Sequence, residues 1–406
     1  MNILMLNDDC LEEIFKCLGA EEQIINILVC RRFKKIIEAL WHRNTISRIR
    51  CNMFKTYAIK RKKFEDYLFQ IQYIITKMDI RIFNDENIKS INKFVFPNVK
   101  ELSCSTIDEN EQISTSQTYN KDELAKMFGM SFPNLTKLSI RSDITGKYID
   151  SLPFLEDLNL SGCKFLEAKY LSRIFTSVKL KKLTFLYFGK KYFDFEIDNI
   201  VRCTTLEEVI IDYYHLKLLV DILPNMANLR KITCYSSEDF TLRLPYEIET
   251  KLKKIALNHC FSYSMMFYLL KNMVNLEKLY VYGASFYDYE MEWLAKDLQN
   301  LRELHIDNCV FQTKNGLLNF VKYFNLEVLS ISETELSNSF IKELNDIISA
   351  KCPEKPLKVY CTKTTASVEF IKNVMDLSPM IQFSFESIEK PLPFKGYSLE
   401  WDPNDK

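Results

Sequence analysis

Glycine is scarce in this chain, with eight among 406 residues where average usage would supply about 28. The closest pair, Gly146 and Gly162, lies sixteen positions apart. P-loops, dinucleotide-binding fingerprints and nucleophile elbows all need glycines two to five positions apart, so none of them is present. Histidine is scarcer still: His42, His215, His259 and His305 are the four, none within forty positions of another. That spacing removes the paired histidines of zinc peptidases and zinc fingers. Twelve cysteines are present, but the closest two, Cys10 and Cys17, are seven apart, and no CxxC occurs. With no basic, apolar leader at Met1–Asp8, the expectation is reduced thiols in the cytoplasm or nucleus. Excess charge of either sign is also missing, since 54 basic residues balance 54 acidic ones. The expectation is therefore no nucleic-acid partner. The longest uncharged run, Ile255 to Leu270, falls short of the ~18 to 20 apolar residues of a membrane span, so no membrane partner is expected either.

What the chain has instead is repetition. A pattern of apolar, two variable, apolar, one variable, apolar recurs eleven times: Ile75/Met78/Ile80, Val99/Leu102/Cys104, Leu135/Leu138/Ile140, Leu155/Leu158/Leu160, Leu180/Leu183/Phe185, Leu206/Val209/Ile211, Leu229/Ile232/Cys234, Leu252/Ile255/Leu257, Leu276/Leu279/Val281, Leu301/Leu304/Ile306 and Leu326/Leu329/Ile331. All but one of the steps between first positions fall between 20 and 26 residues. The exception is 36 residues long and holds a polar insertion, residues 105–120. The last two apolar residues of each triplet alternate with polar ones, as a strand with one buried face requires. Met291, Leu294, Ala295 and Leu298 follow helical spacing between two such strands.

The period and the triplet resemble leucine-rich repeats. Eight residues after the first Leu, where that family places Asn or Cys, stand Cys163, Cys260 and Cys309, with small Ala284, Ser237 and Thr334 in other repeats. The resemblance implies an α/β solenoid: a curved array of about 11 to 12 repeats over residues 75–361, with parallel strands on the concave face and helices on the convex face. Leu357 to Cys361 reads as a degenerate twelfth strand, and Phe383 to Phe385 as a cap. Residues 362–406 are expected to form that cap and an extended tail.

The first 44 residues differ. Leu11, Ile14, Phe15 and Leu18 share one helical face, with Asp9 and Glu12 in capping-box spacing. A short second helix follows at Ile24, Ile25 and Leu28, and a third through Val29, Phe33, Ile36, Ile37 and Leu40 to Trp41. This string resembles an F-box, although Asn7 stands where that family usually has Pro and Phe33 where it often has Trp. The resemblance makes Leu6, Leu11, Ile14, Phe15, Leu18, Val29, Cys30 and Trp41 the adaptor-contact and F-box core residues. The competing reading is a helical cap on the solenoid's N-terminal end. Residues 45–74 are expected to form a helical connector.

Together the two resemblances imply the substrate-recognition subunit of a Skp-cullin-F-box ubiquitin ligase. The F-box would hold the Skp-type adaptor and through it the cullin and RING subunits, while the repeats hold an unknown target protein. No catalytic residue, cofactor or metal is expected. The alternative is a scaffold or inhibitor of the same architecture that binds a partner without a ligase. Side chains two, four and six positions after each first Leu leave the core. On that basis Tyr235, Lys278, Tyr280, Tyr282, His305 and Asp307 are candidate target contacts, the tyrosines clustering on neighbouring strands. The competing reading is that these tyrosines cover one another or lie beneath the tail.

Overall fold

The computed structural model describes residues 3–18, 20–43, 48–51, 61–82, 85–106, 121–163, 165–186, 197–212, 216–217, 219–235, 244–258, 270–377, 379–386 and 396–401. The chain divides into two compact units, Met1–Cys203 and Thr204–Lys406.

The first unit opens with three helices, α1 (Asp8–Lys16), α2 (Ala20–Ile27) and α3 (Arg31–Arg43). Helix α1 starts one residue before the expected cap. Asn7 is the cap, its side-chain oxygen accepting from the Cys10 amide at 2.9 Å. Asn supplies an acceptor that the Pro usual in the resembling family lacks, so this departure closes the helix end. Phe15 and Phe33 meet edge to face, with ring centroids 4.9 Å apart. Leu11, Phe15, Phe33, Ile37 and Trp41 are buried, forming a small core shared by the helices.

Strands follow in succession: β1 (Arg48–Cys51), β2 (Lys77–Ile82), β3 (Glu101–Thr106), β4 (Lys137–Arg141), β5 (Asp157–Asn159) and β6 (Lys182–Phe185). Each pairs in parallel with the next. In the expected helical connector of residues 45–74 the helix is Arg61–Ile71, and strand β1 is an addition ahead of it. The insertion at 105–120 lies outside the described residues beyond Thr106.

In the second unit β7 (Glu208–Asp212), β8 (Lys231–Tyr235), β9 (Leu252–Asn258) and β10 (Lys278–Tyr282) carry the next triplets. A short strand β11 (Ser285–Phe286) precedes β12 (Glu303–Asp307), and β13 (Val310–Phe311) pairs with β11 as a separate ribbon. Then come β14 (Val328–Ser330), β15 (Leu357–Tyr360) and β16 (Ile381–Ser384). The expected degenerate strand and the expected cap are both parallel members of the sheet. The final strand, β17 (Gly396–Trp401), lies between β8 and β9 and runs antiparallel to both.

Register explains why the triplet recurs. Ile255, Leu279, Leu304 and Leu329 are successive Cα partners across β9, β10, β12 and β14. One residue of slip would turn each row toward water, so the repeated spacing holds every strand in line. Met291, Leu294, Ala295 and Leu298 are buried, as their helical spacing predicts.

Two side-chain ladders reinforce the stack. Asn98, Asn134, Asn228, Asn275 and Asn300 each immediately precede the first apolar residue of a repeat. Their amides donate to the carbonyls of Tyr73, Pro97, Thr204, Thr250 and Val274 at 2.5 to 3.0 Å. Every acceptor stands two residues before the first apolar residue of the preceding repeat, so the carbonyls left open by the strand-entry turn are satisfied one after another. At the turn after the strand, Cys163, Cys309 and Thr334 donate to the carbonyls of Ile140, Val281 and Ile306, the third apolar residue of the preceding repeat. The small side chain required eight residues into the repeat is thus a short donor in a buried turn.

Candidate protein-interaction surfaces

In the three-helix module the proposed residues separate into interior and surface. Leu11, Phe15 and Trp41 lie inside, while Leu6, Leu18 and Cys30 are half-buried. Ile14 and Val29 are exposed, at 38% and 58%. Ile3, Leu4, Met5, Ile25 and Leu28 are exposed with them. Seven of the 21 exposed large apolar side chains among the described residues therefore fall between residues 3 and 29. A module with a closed core has no internal use for such a surface.

Two polar residues that the sequence reading passed over hold this module in shape. Gln23 is buried, donates to the Phe15 and Leu18 carbonyls at 2.7 and 3.1 Å, and accepts from the Trp41 indole at 2.6 Å. One amide thereby ties the end of α1 to α2 and α3. Arg32 donates to the Leu4 and Leu6 carbonyls at 2.8 and 2.5 Å and to Asp8 at 2.8 Å, clamping the N-terminal turn against α3. Their sequence signal is weak, because a Gln or Arg on a short helix is ordinarily a solvated residue.

The second unit carries the other candidate surface, on the open face of its sheet. Tyr280 on β10 stacks on His305 of β12, with ring centroids 4.1 Å apart and planes 12° from parallel. The Tyr280 hydroxyl donates to Glu303 at 3.2 Å, and Lys278 donates to the same carboxylate at 2.7 Å. Lys254 on β9 sits 5.4 Å from the Tyr280 ring centroid. Tyr282 donates to Glu333 at 2.9 Å. Asp307 accepts from the Ser330 hydroxyl at 2.6 Å and the Ser332 amide at 2.8 Å, so it organises the turn after β14.

His305 is 5% exposed and neither ring nitrogen has a hydrogen-bond partner. Glu303 comes only to 4.0 Å of Nε2. Burial first, and then Lys278 and Lys254, push the imidazole down to about 4, against the opposing pull of Glu303. Burial and Glu303 push the Tyr280 phenol up, and burial with Glu208 does the same to Tyr235. These are neutral aromatic side chains at physiological pH.

Tyr235 stands apart from the other two tyrosines. In register, Tyr235 on β8 meets Gly396 of β17, which meets Asn258 of β9, which meets Tyr282 of β10. Three strand spacings of about 4.8 Å separate Tyr235 from Tyr282 by roughly 14 Å. The inserted tail strand, invisible to the repeat arithmetic, widens the expected cluster. Among the described residues no group of three or more His, Cys, Asp or Glu side chains could hold a metal ion. No helix among them is long and apolar enough to cross a membrane.

The architecture is that of a strand-and-helix repeat protein carrying a three-helix N-terminal module. Residues 3–43 match the F-box domain. Comparison with curated proteins yields no match. Among solved structures, an internalin from Listeria monocytogenes is 13% identical over 81% of this chain and 89% of its own, with a TM-score of 0.35. A leucine-rich-repeat protein from Leptospira interrogans is 15% identical over 80% and 92%, with a TM-score of 0.34. A chain of the yeast Rad7–Elc1 complex is 14% identical over 93% of each, with a TM-score of 0.37. Scores this low support no transfer of function.

Proposed function

We propose that this chain is the substrate-recognition subunit of a Skp-cullin-F-box ubiquitin ligase. Residues 1–44 would hold the Skp-type adaptor, and the leucine-rich repeats of 75–361 a target protein. The observation that carries the reading is the run of exposed apolar residues on a module that matches the F-box domain and already has its own core. Met5, Ile14, Leu28 and Val29 are its contact residues, while Leu11, Phe15 and Trp41 hold the scaffold behind them. The receptor acts by positioning: adaptor and target held on one chain raise the local concentration of a target lysine near a conjugating enzyme. Tyr280, Tyr282 and Lys278 are proposed as target contacts, with the buried His305 ring supporting Tyr280 from beside it, since aromatic and charged groups on a sheet face have the composition of binding hot spots.

The test uses surface positions, so that folding and binding separate. Ile14→Asp with Val29→Asp puts two charges on the proposed docking surface, and adaptor capture should fall by about 2 kcal/mol or more with circular dichroism unchanged. Undiminished capture by the folded double variant would refute the adaptor assignment. An adaptor that never co-purifies with the unaltered chain would leave the scaffold or inhibitor reading in its place.

A further inference from the structure

Strand β17 is the only antiparallel member of the sheet described for the second unit. Every other pair described there is parallel and joins successive repeats. Between β8 and β9 the succession is broken by a gap one strand wide. Strand β8 is paired with β7 on its far side and β9 with β10 on its own. The two edges facing the gap are therefore met by β17, and without it each would present a row of unpaired amides and carbonyls, the feature that templates strand addition.

The side chains of β17 match the gap on both faces. Leu399 is fully buried between Ile232 and Ile255, its Cα partners, both buried themselves. Its neighbour Ser398 lies between Thr233 and Ala256, with its hydroxyl 3.3 Å from that of Thr233. Glu400 lies between Lys231 and Lys254, with carboxylate contacts of 3.6 and 3.1 Å. That register row reads Glu208, Lys231, Glu400, Lys254, Lys278, Glu303 across six strands. Remove Glu400 and three lysines become consecutive. The gap thus presents an apolar socket on the core side and an anion position between two ammonium groups on the open side.

We propose that the gap between β8 and β9 is a receptor slot for an extended peptide carrying a small, an apolar and an acidic residue in succession, and that the chain's own C-terminal strand holds it as an intramolecular occupant. Main-chain hydrogen bonds to both flanking strands supply affinity, and the socket and the lysine pair supply selectivity. A foreign segment of that pattern competes with Ser398-Leu399-Glu400. The proposal concerns the slot alone and does not depend on the adaptor assignment.

The experiment uses a labelled synthetic peptide with the sequence of residues 392–404 and two proteins, the full chain and a chain ending at residue 395. The shortened chain should bind the peptide saturably and at least tenfold more tightly than the full chain. Peptides carrying Leu399→Asp or Glu400→Lys should each bind at least tenfold more weakly. A shortened chain that keeps its circular dichroism yet binds no peptide, or binds all three equally, overturns the proposal. A full chain that is dimeric by light scattering and becomes monomeric on adding peptide would give the slot to a second copy, which also overturns it. If the shortened chain does not fold, hydrogen exchange on the full chain decides. Amides of β17 exchanging at least tenfold faster than those of β10 support an occupant that leaves, and exchange of both strands in one step overturns it.

Discussion

His305 shows how one residue reports on its surroundings. Its imidazole is pushed down to about 4 from 6.5, so between those values the unfolded chain binds the extra proton and the folded one does not. Stability should therefore fall as pH drops from about 6.5 toward 4, by on the order of 2–3 kcal/mol from this group. His305→Phe keeps a ring against Tyr280 and removes the titration. Urea unfolding of both proteins from pH 7 to pH 4 should show a difference in stability that shifts in the variant's favour as pH falls. A constant difference would mean the imidazole titrates normally. Gln23 offers a second test at this scale. Gln23→Leu removes the acceptor of the Trp41 indole and one amide donor to the Phe15 and Leu18 carbonyls, which should cost about 1–3 kcal/mol in the denaturant stability of the three-helix module.

Among the secondary-structure elements, the helices Asp288–Asp297 and Lys314–Tyr323 cross closely where Gly316 faces Asp288. A methyl group there would meet Asp288 Oδ1 at 2.7 Å and its Cα at 3.1 Å. Thr313 holds that carboxylate at 2.6 Å and caps the second helix, so Asp288 has little room to retreat. Helix propensity alone makes Gly316→Ala stabilising by about 1 kcal/mol. Crowding should reverse the sign and give a loss of roughly 1–3 kcal/mol, read as a lower unfolding midpoint. The asparagine ladder is additive by design. Asn134→Ala and Asn300→Ala, in different repeats, should each lose about 1 kcal/mol and sum in the double variant, because sites without shared partners do not couple.

For the whole molecule, charge balance is the controlling quantity. With 54 groups of each sign and an isoelectric point near 6.9, the chain has little net repulsion between copies at neutral pH. Solubility should pass through a minimum near pH 7 and rise on either side, as precipitation assays across pH 5.5 to 8.5 would show.

The repeats were legible because their signal is arithmetic. A strand that buries alternate residues beside an identical strand must repeat its pattern at a fixed interval, and eleven triplets announce that in one dimension. The resemblance to leucine-rich repeats implied the small residue in the turn at Cys163, Cys309 and Thr334. The repeat arithmetic missed the asparagine ladder, although Asn stands before Val99, Leu135, Leu229, Leu276 and Leu301, because an Asn in a turn looks ordinary until its acceptor in the preceding repeat is known. In the N-terminal module the spacing of Leu11 and Phe15 announced helix and core, but Ile14 looks the same on a helical wheel, and only packing sends one inward and leaves the other exposed. The tail lay furthest from reach. Gly396 to Trp401 alternates like any short strand, and nothing along the chain says that it pairs with residues more than 130 positions earlier. Local periodicity is written into the sequence because each repeat contacts its neighbours. The place of β17 was settled by two unpaired strand edges, and those edges exist only after the repeats have stacked.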